Sequence, residues 1–549
     1  MLSALALALA AAPQDGEASR PDIVLILADD LGWSDISPYG GEIRTPNLER
    51  LAEEGLLYRQ FYNAARCCPS RASLLTGLYP HQAGVGHMVD DKGWPAYRGD
   101  LAPEAATLAE VLRAAGYATA MAGKWHVTRG TGYWTGRPED DFRTTWPRAR
   151  GFERFYGTIH GGGSYYAPRT LVRDDTPLPP PGPGEDFYYT DRIAGAAAAF
   201  VEEHARRRPQ DPLFLYVAFT APHWPLQAPA EDVARYRGAY DGGFAAVREA
   251  RRRRQAERGL LPEGLVPAPF PIPWERAPHP EWQSRAMEVY AAMVERMDRG
   301  IGHILGSLER TGRAENTLVL FLSDNGACAE GGRAWGRQGV GNSLTRPKFT
   351  RDGRLIRFGA QATVMPGPED VWQEYGEPWA HVSNTPFRLY KHFVHEGGIR
   401  SPLLVRWPAG IPEAGAVRDQ VGHLVDLMPT LAAVAGAGPL SERAGRPCPP
   451  WEGRSLLPSF RGAAPEERTL FWEHEGNAAV RQGSWKLVRR HRGGGAWELY
   501  ELRRDPTEMA DLAAAEPERV QAMRALWEDW AQRVGVRPWP VQPPEEDGR

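Results

Sequence analysis

A pair of adjacent cysteines opens the segment of this sequence that offers the most chemistry. The segment reads Cys67-Cys68-Pro69-Ser70-Arg71, and Leu75-Thr76-Gly77 completes it. Proline suits a first helical position and glycine a helix end, so the spacing predicts a short helix over residues 70–76. Cys67 then lies at the helix N-terminus, where free backbone N–H groups and the helix dipole favour negative charge. Arg71 follows one turn later, close enough to neutralise an anion held there.

The cysteine pair fits a nucleophile, a low-pKa thiol at a helix start, a redox pair or half of a zinc site. Adjacent cysteines seldom bond to each other, and the sequence has no second pair to complete a metal cluster, which favours the nucleophile. The segment resembles the signature Cys-x-Pro-Ser-Arg-x-x-x-Leu-Thr-Gly, at which sulfatases oxidise a cysteine to formylglycine. The resemblance implies that Cys67 is oxidised, that a formylglycine-generating enzyme is a partner during maturation, and that the aldehyde hydrate attacks a sulfate ester.

Oxygen-bearing side chains follow two apolar runs that read as buried strands. Asp29 and Asp30 come after the run 23–27, and Asp324 and Asn325 come after the run 317–322. Carboxylate and amide oxygens suit calcium or magnesium rather than zinc, and carboxylates packed together without a cation raise one another's pKa. The resemblance places the family's metal at these four residues, with the modified Cys67 as a further ligand. We therefore expect one Ca²⁺ ion per chain.

Four basic side chains complete the candidate site. Lys124 and His126 lie two residues apart, so on an extended segment they point the same way. Gly-Lys-Trp-His resembles the sulfatase segment whose lysine binds formylglycine and sulfate and whose histidine assists release. His223, in Ala-Pro-His-Trp-Pro-Leu, is similar to the family histidine that contacts sulfate. Lys391 stands five residues before Glu396-Gly-Gly-Ile-Arg, which resembles the segment where a lysine faces the leaving group.

The resemblance implies a reaction in two halves. The calcium ion and the side chains of Arg71, Lys124, His223 and Lys391 would neutralise sulfate oxygens while a hydroxyl of the hydrate attacks sulfur. His223 or Lys391 would protonate the departing alcohol or phenol, which leaves a covalent sulfate ester. His126 would then deprotonate the second hydroxyl, expelling sulfate and restoring the aldehyde.

The elements that must position these residues indicate an α/β fold. Apolar runs at 23–27, 117–122, 213–219 and 317–322 each end near a candidate residue, and helices are expected at 106–115, 193–203 and 286–310. Continuous apolar runs suit a sheet covered by helices on both faces, with its site beyond the carboxyl ends of the strands. The resemblance, over 21–506, implies the alkaline phosphatase-like sulfatase fold: a large mixed sheet and a small C-terminal antiparallel sheet with a final helix near 517–534.

The chain divides into a leader over 1–19, a catalytic domain over 20–460 and a C-terminal subdomain over 461–549, with the boundary in the Pro/Gly/Arg-rich stretch 437–461. Two insertions are expected, at about 228–281 and 326–383. The first carries the basic run 251–254, which we interpret as a solvated helix face. The second is long enough to form an active-site wall that sets substrate choice. Trp335, Trp372 and Trp379 offer it ring faces for a ligand, or simply pack it onto its domain.

Composition is that of a large globular enzyme, with 549 residues, 42% hydrophobic and 24% charged. A formal net charge of −4 gives no bulk attraction to nucleic acid. The apolar Leu/Ala run 1–12, followed by polar residues, predicts a signal peptide and hence a periplasmic or secreted enzyme. No later run approaches the length that spans a bilayer, so we expect no stable membrane insertion. The expected partner is a small-molecule or carbohydrate sulfate ester.

Two rival functions share parts of this pattern. A phosphonate or phosphodiester hydrolase of the same superfamily can carry the cysteine motif and the fold. A non-catalytic binder of sulfated glycans would use the fold without the chemistry, but a binder has no need of both Cys67 and His126.

Overall fold

A central sheet of eleven strands runs through the structure, a computed structural model that describes residues 20–330, 344 and 346–544. The strands of all the sheets, in chain order, are β1 (Asp22–Ala28), β2 (Leu56–Tyr62), β3 (Ala118–Lys124), β4 (Arg154–Thr158), β5 (Leu171–Arg173), β6 (Thr176–Pro177), β7 (Leu213–Ala218), β8 (Thr317–Ser323), β9 (Arg357–Phe358), β10 (Val371–Trp372), β11 (Arg400–Arg406), β12 (Ala416–Arg418), β13 (Gly422–His423), β14 (Glu442–Arg443), β15 (Arg446–Pro447), β16 (Thr469–His474), β17 (Asn477–Gln482), β18 (Trp485–Arg489) and β19 (Trp497–Glu501). The large sheet has the order β12-β2-β11-β8-β1-β7-β3-β4-β5-β6, with β13 beside β2.

The five strands at the centre of this sheet, β8-β1-β7-β3-β4, are parallel, and β11 and β5 join them antiparallel. Every residue of β1, β3, β7 and β8 is buried, which explains why these strands read as unbroken apolar runs. The prediction of a mixed α/β sheet is confirmed. Because parallel strands end at one edge, the carboxyl ends of these four strands deliver their following residues to the same rim.

Helices cover both faces of the sheet. They are α1 (Pro46–Glu53), α2 (Cys67–Thr76), α3 (Leu108–Ala114), α4 (Gly132–Thr135), α5 (Tyr189–Arg207), α6 (Ala230–Ala234), α7 (Gly243–Glu257), α8 (Pro280–Arg310), α9 (Gly376–Ser383), α10 (Glu396–Ile399), α11 (Leu427–Ala435), α12 (Leu457–Phe460) and α13 (Pro517–Val534). One apolar core joins α5 and α8 to alternate residues of β1, such as Val24 and Ile26. A second core joins α2, α3 and α11 to the other face, through Ile23, Leu25 and Leu27.

A small antiparallel sheet, β16-β17-β18-β19, forms the C-terminal part of the chain. Its residues Val480 and Leu487 pack with Trp527 and Trp530 of α13, which covers one face. The expected final helix and small sheet are therefore present, and α13 has the bounds that the sequence indicates. A buried ion pair, Lys486 Nζ to Glu396 Oε1 at 2.8 Å, joins the small sheet to α10.

The basic run 251–254 corrects our interpretation of a solvated helix face. Arg251, on α7, is fully buried and pairs with Asp35 at 2.7 Å and with Glu42 at 2.7 Å. Only Arg253 of this run is exposed. Four consecutive arginines suggest a solvated face, because the sequence does not show that Asp35 and Glu42, far away in the chain, pair with Arg251. The first insertion is thus anchored in the core beside the loop that follows Asp30.

Two tryptophans of the second insertion, Trp372 and Trp379, pack this segment onto its own domain. Trp379 is fully buried against Phe244 and Tyr240, and its indole N–H donates to the Gln283 carbonyl. Trp372 is 3% exposed. The two rings therefore present no open face to a ligand, and loop packing, the alternative use, is the correct one for both.

Parts of two sequence predictions lie outside the described residues: the leader over 1–19 and Trp335. Among the helices that the structure describes, none combines the length and apolar character needed to cross a membrane.

Candidate functional site

Helix α2 begins at Cys67 itself, earlier than the predicted start at residue 70. Ser70 N–H bonds the Arg66 carbonyl, so Pro69 occupies the third helical position, where its missing N–H is still harmless. The helix ends at Gly77, whose left-handed φ of 70° suits glycine. All ten residues of α2 are buried, so the cysteine lies at a helix N-terminus inside the protein.

Four oxygen-bearing side chains converge where β1 and β8 end side by side, since Ala28 pairs with Ser323. The Asn325 amide donates to Asp30 Oδ1 at 2.7 Å, and the Asp30 N–H donates to Asp324 Oδ1 at 3.3 Å. Asp29 Oδ1 and Asn325 Oδ1 are buried acceptors without a hydrogen-bond partner. Buried acceptors of this kind need a ligand, so the donor set fits a hard divalent cation.

Two buried cations bridge the carboxylates. Lys124 Nζ lies 2.6 Å from Asp29 Oδ2, and Arg71 donates to Asp324 Oδ2 at 2.7 Å. Burial acts to raise the pKa of Asp29, but Lys124, His223 and Arg71 outweigh it and lower this pKa to about 2. Burial and the Asp29 charge raise the pKa of Asp324 well above its ordinary value. The carboxylates thus repel one another even with these cations present, as expected where a further positive ion belongs.

The remaining predicted basic residues approach Asp30. Lys391 Nζ lies 3.0 Å from Asp30 Oδ1, and His223 Nε2 lies 3.5 Å from Asp30 Oδ2. His223 Nδ1 hydrogen-bonds the Trp224 carbonyl, which fixes its ring orientation. Burial acts to lower the pKa of Lys391, but Asp30 outweighs it and holds this pKa well above its ordinary value. The distant Lys391 is therefore part of the same cluster.

His126 reaches the cysteine by a route that the sequence argument did not foresee. Its φ is 57°, a left-handed conformation, so the alternation of an extended segment ends at Lys124. Even so, a His126 ring nitrogen and the thiols of Cys67 and Cys68 lie within 4.8 Å of one another. Burial, with the Lys124 charge, lowers the pKa of His126 to about 3. A Cβ on Gly161 would lie 2.4 Å from this ring, so only glycine fits there.

The Cys67 thiol is activated by its surroundings. A hydrogen bond with Cys68, followed by the charges of Lys124 and Lys391, outweighs burial and holds the pKa of Cys67 well below its ordinary value. Burial raises the pKa of the Cys68 thiol well above its ordinary value, and the neighbouring Cys67 raises it further. The two cysteines therefore differ chemically although they are adjacent.

All the predicted site residues are brought together at this rim, and three others adjoin them. Glu330 pairs with Lys391 at 3.3 Å, Cys328 Sγ lies 3.9 Å from Lys391 Nζ, and the His160 ring lies 5.4 Å from the His126 ring. Sequence reasoning missed these three. A signal existed for one, since His160 opens a run of three glycines. Glu330 and Cys328 follow Asn325 within a segment rich in small residues, without a pattern of their own.

Comparison with known proteins gives consistent results along the chain. The sulfatase family matches residues 21–437, and the C-terminal region of N-sulphoglucosamine sulphohydrolase matches residues 387–533. An uncharacterised sulfatase of Schizosaccharomyces pombe is 34% identical and covers 95% of each chain. An arylsulfatase of Klebsiella aerogenes is 35% identical over 83% of this chain and 95% of its own. The crystal structure of Ps i-CgsB in complex with k-i-k-neocarrahexaose superposes with a TM-score of 0.65 at 24% identity, covering 96% of this chain and 94% of that one.

Proposed function

This chain belongs to the sulfatase family and is a sulfuric ester hydrolase, and we propose that its nucleophile forms on Cys67. Sulfatases in general use a formylglycine and a metal ion. The formylglycine hydrate would supply a hydroxyl that attacks sulfur. One observation carries the assignment: Cys67 starts a buried helix at the rim where the oxygen ligands and the buried cations meet.

We assign the metal site to Asp29, Asp30, Asp324 and Asn325, together with the modified residue 67. The all-oxygen donor set favours Ca²⁺. The bound ion would neutralise charge on the sulfate oxygens. The unpartnered, buried Asp29 Oδ1 and Asn325 Oδ1 support this assignment.

The basic residues divide the remaining work. Arg71 and Lys124, both fully buried, bind sulfate oxygens and hold sulfur in line with residue 67. His223 binds a sulfate oxygen, and Lys391 Nζ passes a proton to the ester oxygen that leaves. A His126 ring nitrogen, close to residue 67, accepts the proton of the second hydroxyl of the hydrate. Loss of this proton expels sulfate and restores the aldehyde.

The substrate that we propose is a sulfate monoester of a phenol or of a carbohydrate. We further propose a periplasmic or secreted enzyme, with residues 1–19 as leader, a catalytic domain over 20–460, a C-terminal subdomain over 461–549, and a formylglycine-generating enzyme as its maturation partner. The apolar run 1–12 supports export.

Peptide mass spectrometry tests the nucleophile. The peptide that contains α2 should carry the aldehyde at Cys67, and Cys67→Ala should abolish turnover. Cys68→Ala is the matched control and should retain both the aldehyde and activity. An aldehyde at Cys68, or wild-type turnover by Cys67→Ala protein, contradicts the assignment.

Sulfate and phosphate esters of one phenol separate this function from its rivals. A sulfatase hydrolyses the sulfate monoester with the higher kcat/KM. Preference for a phosphate diester or phosphonate would identify a phosphodiester hydrolase, and binding of sulfated glycans without turnover by aldehyde-bearing protein would identify a binder.

A further inference from the structure

Glu330 joins four side chains at the edge of the site. Its Oε2 atom lies 3.3 Å from Lys391 Nζ and accepts from the Trp224 indole N–H at 3.4 Å. Its Oε1 atom lies 2.6 Å from His392 Nε2 and 3.0 Å from Arg66 Nη2. The Glu330 side chain is 22% exposed, whereas Lys391 is 1% exposed, so the carboxylate lies between the buried lysine and solvent.

These partners come from three separate segments, each of which carries a residue of the proposed machinery. Arg66 directly precedes Cys67, Trp224 directly follows His223, and His392 directly follows Lys391. One carboxylate therefore fixes the nucleophile, sulfate-binding and leaving-group segments relative to one another.

Lys391 has two carboxylate partners in the structure, Asp30 at 3.0 Å and Glu330 at 3.3 Å. Asp30 belongs to the proposed metal ligands, and a bound cation would compete with Lys391 for its oxygens. Glu330 is then the partner that still orients the lysine. Burial acts to raise the pKa of Glu330, but Lys391, His392 and Arg66 outweigh it and hold this pKa well below its ordinary value, so the carboxylate is charged.

We propose that Glu330 is a positioning residue, which holds Lys391 Nζ at the oxygen of the leaving group. The proposal rests on the proposed function, in which Lys391 donates the proton to that oxygen. Loss of this restraint misplaces the donor without removing it. Such misplacement lowers the rate by about tenfold to a hundredfold where the donor is needed.

The chain supplies a matched control in Glu475. This residue also pairs with Arg66, at 2.7 Å, and with His392, at 3.0 Å, but its other partners are His87 and His474 instead of Lys391. If Glu330 only stabilises the surrounding ion network, Glu330→Gln and Glu475→Gln should have the same effects. If Glu330 positions Lys391, their effects on the leaving group should differ.

The experiment measures kcat and KM for a series of aryl sulfates whose phenols span a wide range of pKa values. It uses aldehyde-bearing wild type, Glu330→Gln, Glu330→Asp, Glu475→Gln and Lys391→Ala, with metal content and Tm checked for each. Glu330→Gln should lower kcat for the poorest leaving groups by about tenfold to a hundredfold and change the most activated phenol little. Glu330→Asp should restore part of the loss. The slope of log kcat against the pKa of the phenol should stay at its wild-type value in Glu475→Gln.

A wild-type slope in Glu330→Gln, beside a steep slope in Lys391→Ala, overturns the positioning role and leaves the role of Lys391 intact. An equal slope change in Glu475→Gln also overturns it. A wild-type slope in Lys391→Ala overturns the leaving-group role of the lysine itself, and with it this inference.

Discussion

Charged side chains at the centre of the site pair with one another over short distances, away from solvent. The side chains of Arg71, Lys124, Asp29 and Asp324 are all 0% exposed. Removing one member of a buried ionic group leaves its partner uncompensated, which costs more than the group contributes as a whole. Single substitutions here should therefore change ion binding and catalysis together.

Asp324→Asn removes one negative charge from the proposed metal site while keeping the shape of the side chain. We expect calcium affinity to fall by at least about tenfold, because affinity for this ion depends on the number of charged ligands. Calcium titration by calorimetry measures the change. The exposed Asp241→Asn serves as control, and an unchanged calcium affinity in Asp324→Asn would refute the ligand assignment.

His126→Ala should separate the two halves of the reaction. The variant lacks the base that permits sulfate release, so it should release one equivalent of phenol rapidly and then turn over about 10²- to 10⁴-fold more slowly. Rapid-quench measurement of phenol shows whether this burst occurs. The exposed His303→Ala should behave as wild type. A slow variant without a burst would place His126 in the first half.

The sequence predicts the residues of the site that end strands, and it misses those fixed by tertiary contact alone. Asp29 and Asp324 were found because a buried strand leads into each of them. Glu330 was not, because its role depends on Arg66, Trp224 and Lys391, which lie far away in the sequence. A local pattern cannot show such convergence.

At the scale of elements, α7 packs behind the loop that follows β1. Arg251, on this helix, pairs with Asp35, whose Oδ2 accepts from the Gly32 N–H at 2.9 Å and from the Tyr290 hydroxyl at 2.6 Å. Gly32 lies two residues after Asp30, so Asp35 links α7 to the loop that carries Asp30. The first expected insertion, which contains α7, thus helps to hold the loop beside the candidate site in place.

Arg251→Met should destabilise the protein strongly, because it leaves Asp35 and Glu42 without their buried cation. We expect a loss of about 3–5 kcal/mol in the free energy of unfolding, measured by chemical denaturation. Arg253→Met, at an exposed position of the same helix, should leave the denaturation midpoint unchanged. Equal midpoints for the two variants would contradict the anchoring role of α7.

The anchoring of α7 could not be predicted from the sequence, since four consecutive arginines do not show which of them is buried. The parallel strands were predictable because burial on both faces demands continuous apolar residues. The bounds of α13 were also predictable, from Pro517 at its start and Gly535 after its end.

Across the whole molecule, the C-terminal sheet is fixed to the catalytic part by buried charge. Lys486 Nζ, on β18, lies 2.8 Å from both Glu396 Oε1 and Glu508 Oε1, with all three side chains at 0% exposure. Glu396 begins α10, five residues after Lys391. The small sheet is therefore joined to the segment that carries Lys391, the proposed leaving-group lysine.

Lys486→Met should consequently impair catalysis from a distance. It removes the buried cation that Glu396 and Glu508 share and leaves Glu396 with Arg400, 3.3 Å away, so we expect a loss of about 3–5 kcal/mol in unfolding free energy together with a lower kcat for poor leaving groups. Denaturation and the aryl sulfate series measure both. Arg503→Met, which breaks an exposed pair with Glu467 just outside the strands of the same sheet, is the control. A destabilised variant with a wild-type leaving-group slope would show that the sheet does not position Lys391.

The burial of α2 has a consequence for the order of events during biosynthesis. Cys67 is 2% exposed and Cys68 is inaccessible, inside a helix whose ten residues are all covered by the catalytic domain. A second enzyme cannot bind this segment unless the core around it unfolds. The proposed oxidation of Cys67 would therefore have to precede folding, while the newly made chain is still extended. Folding and maturation would then compete in time, and a chain that folded first would be trapped as a stable but inactive product.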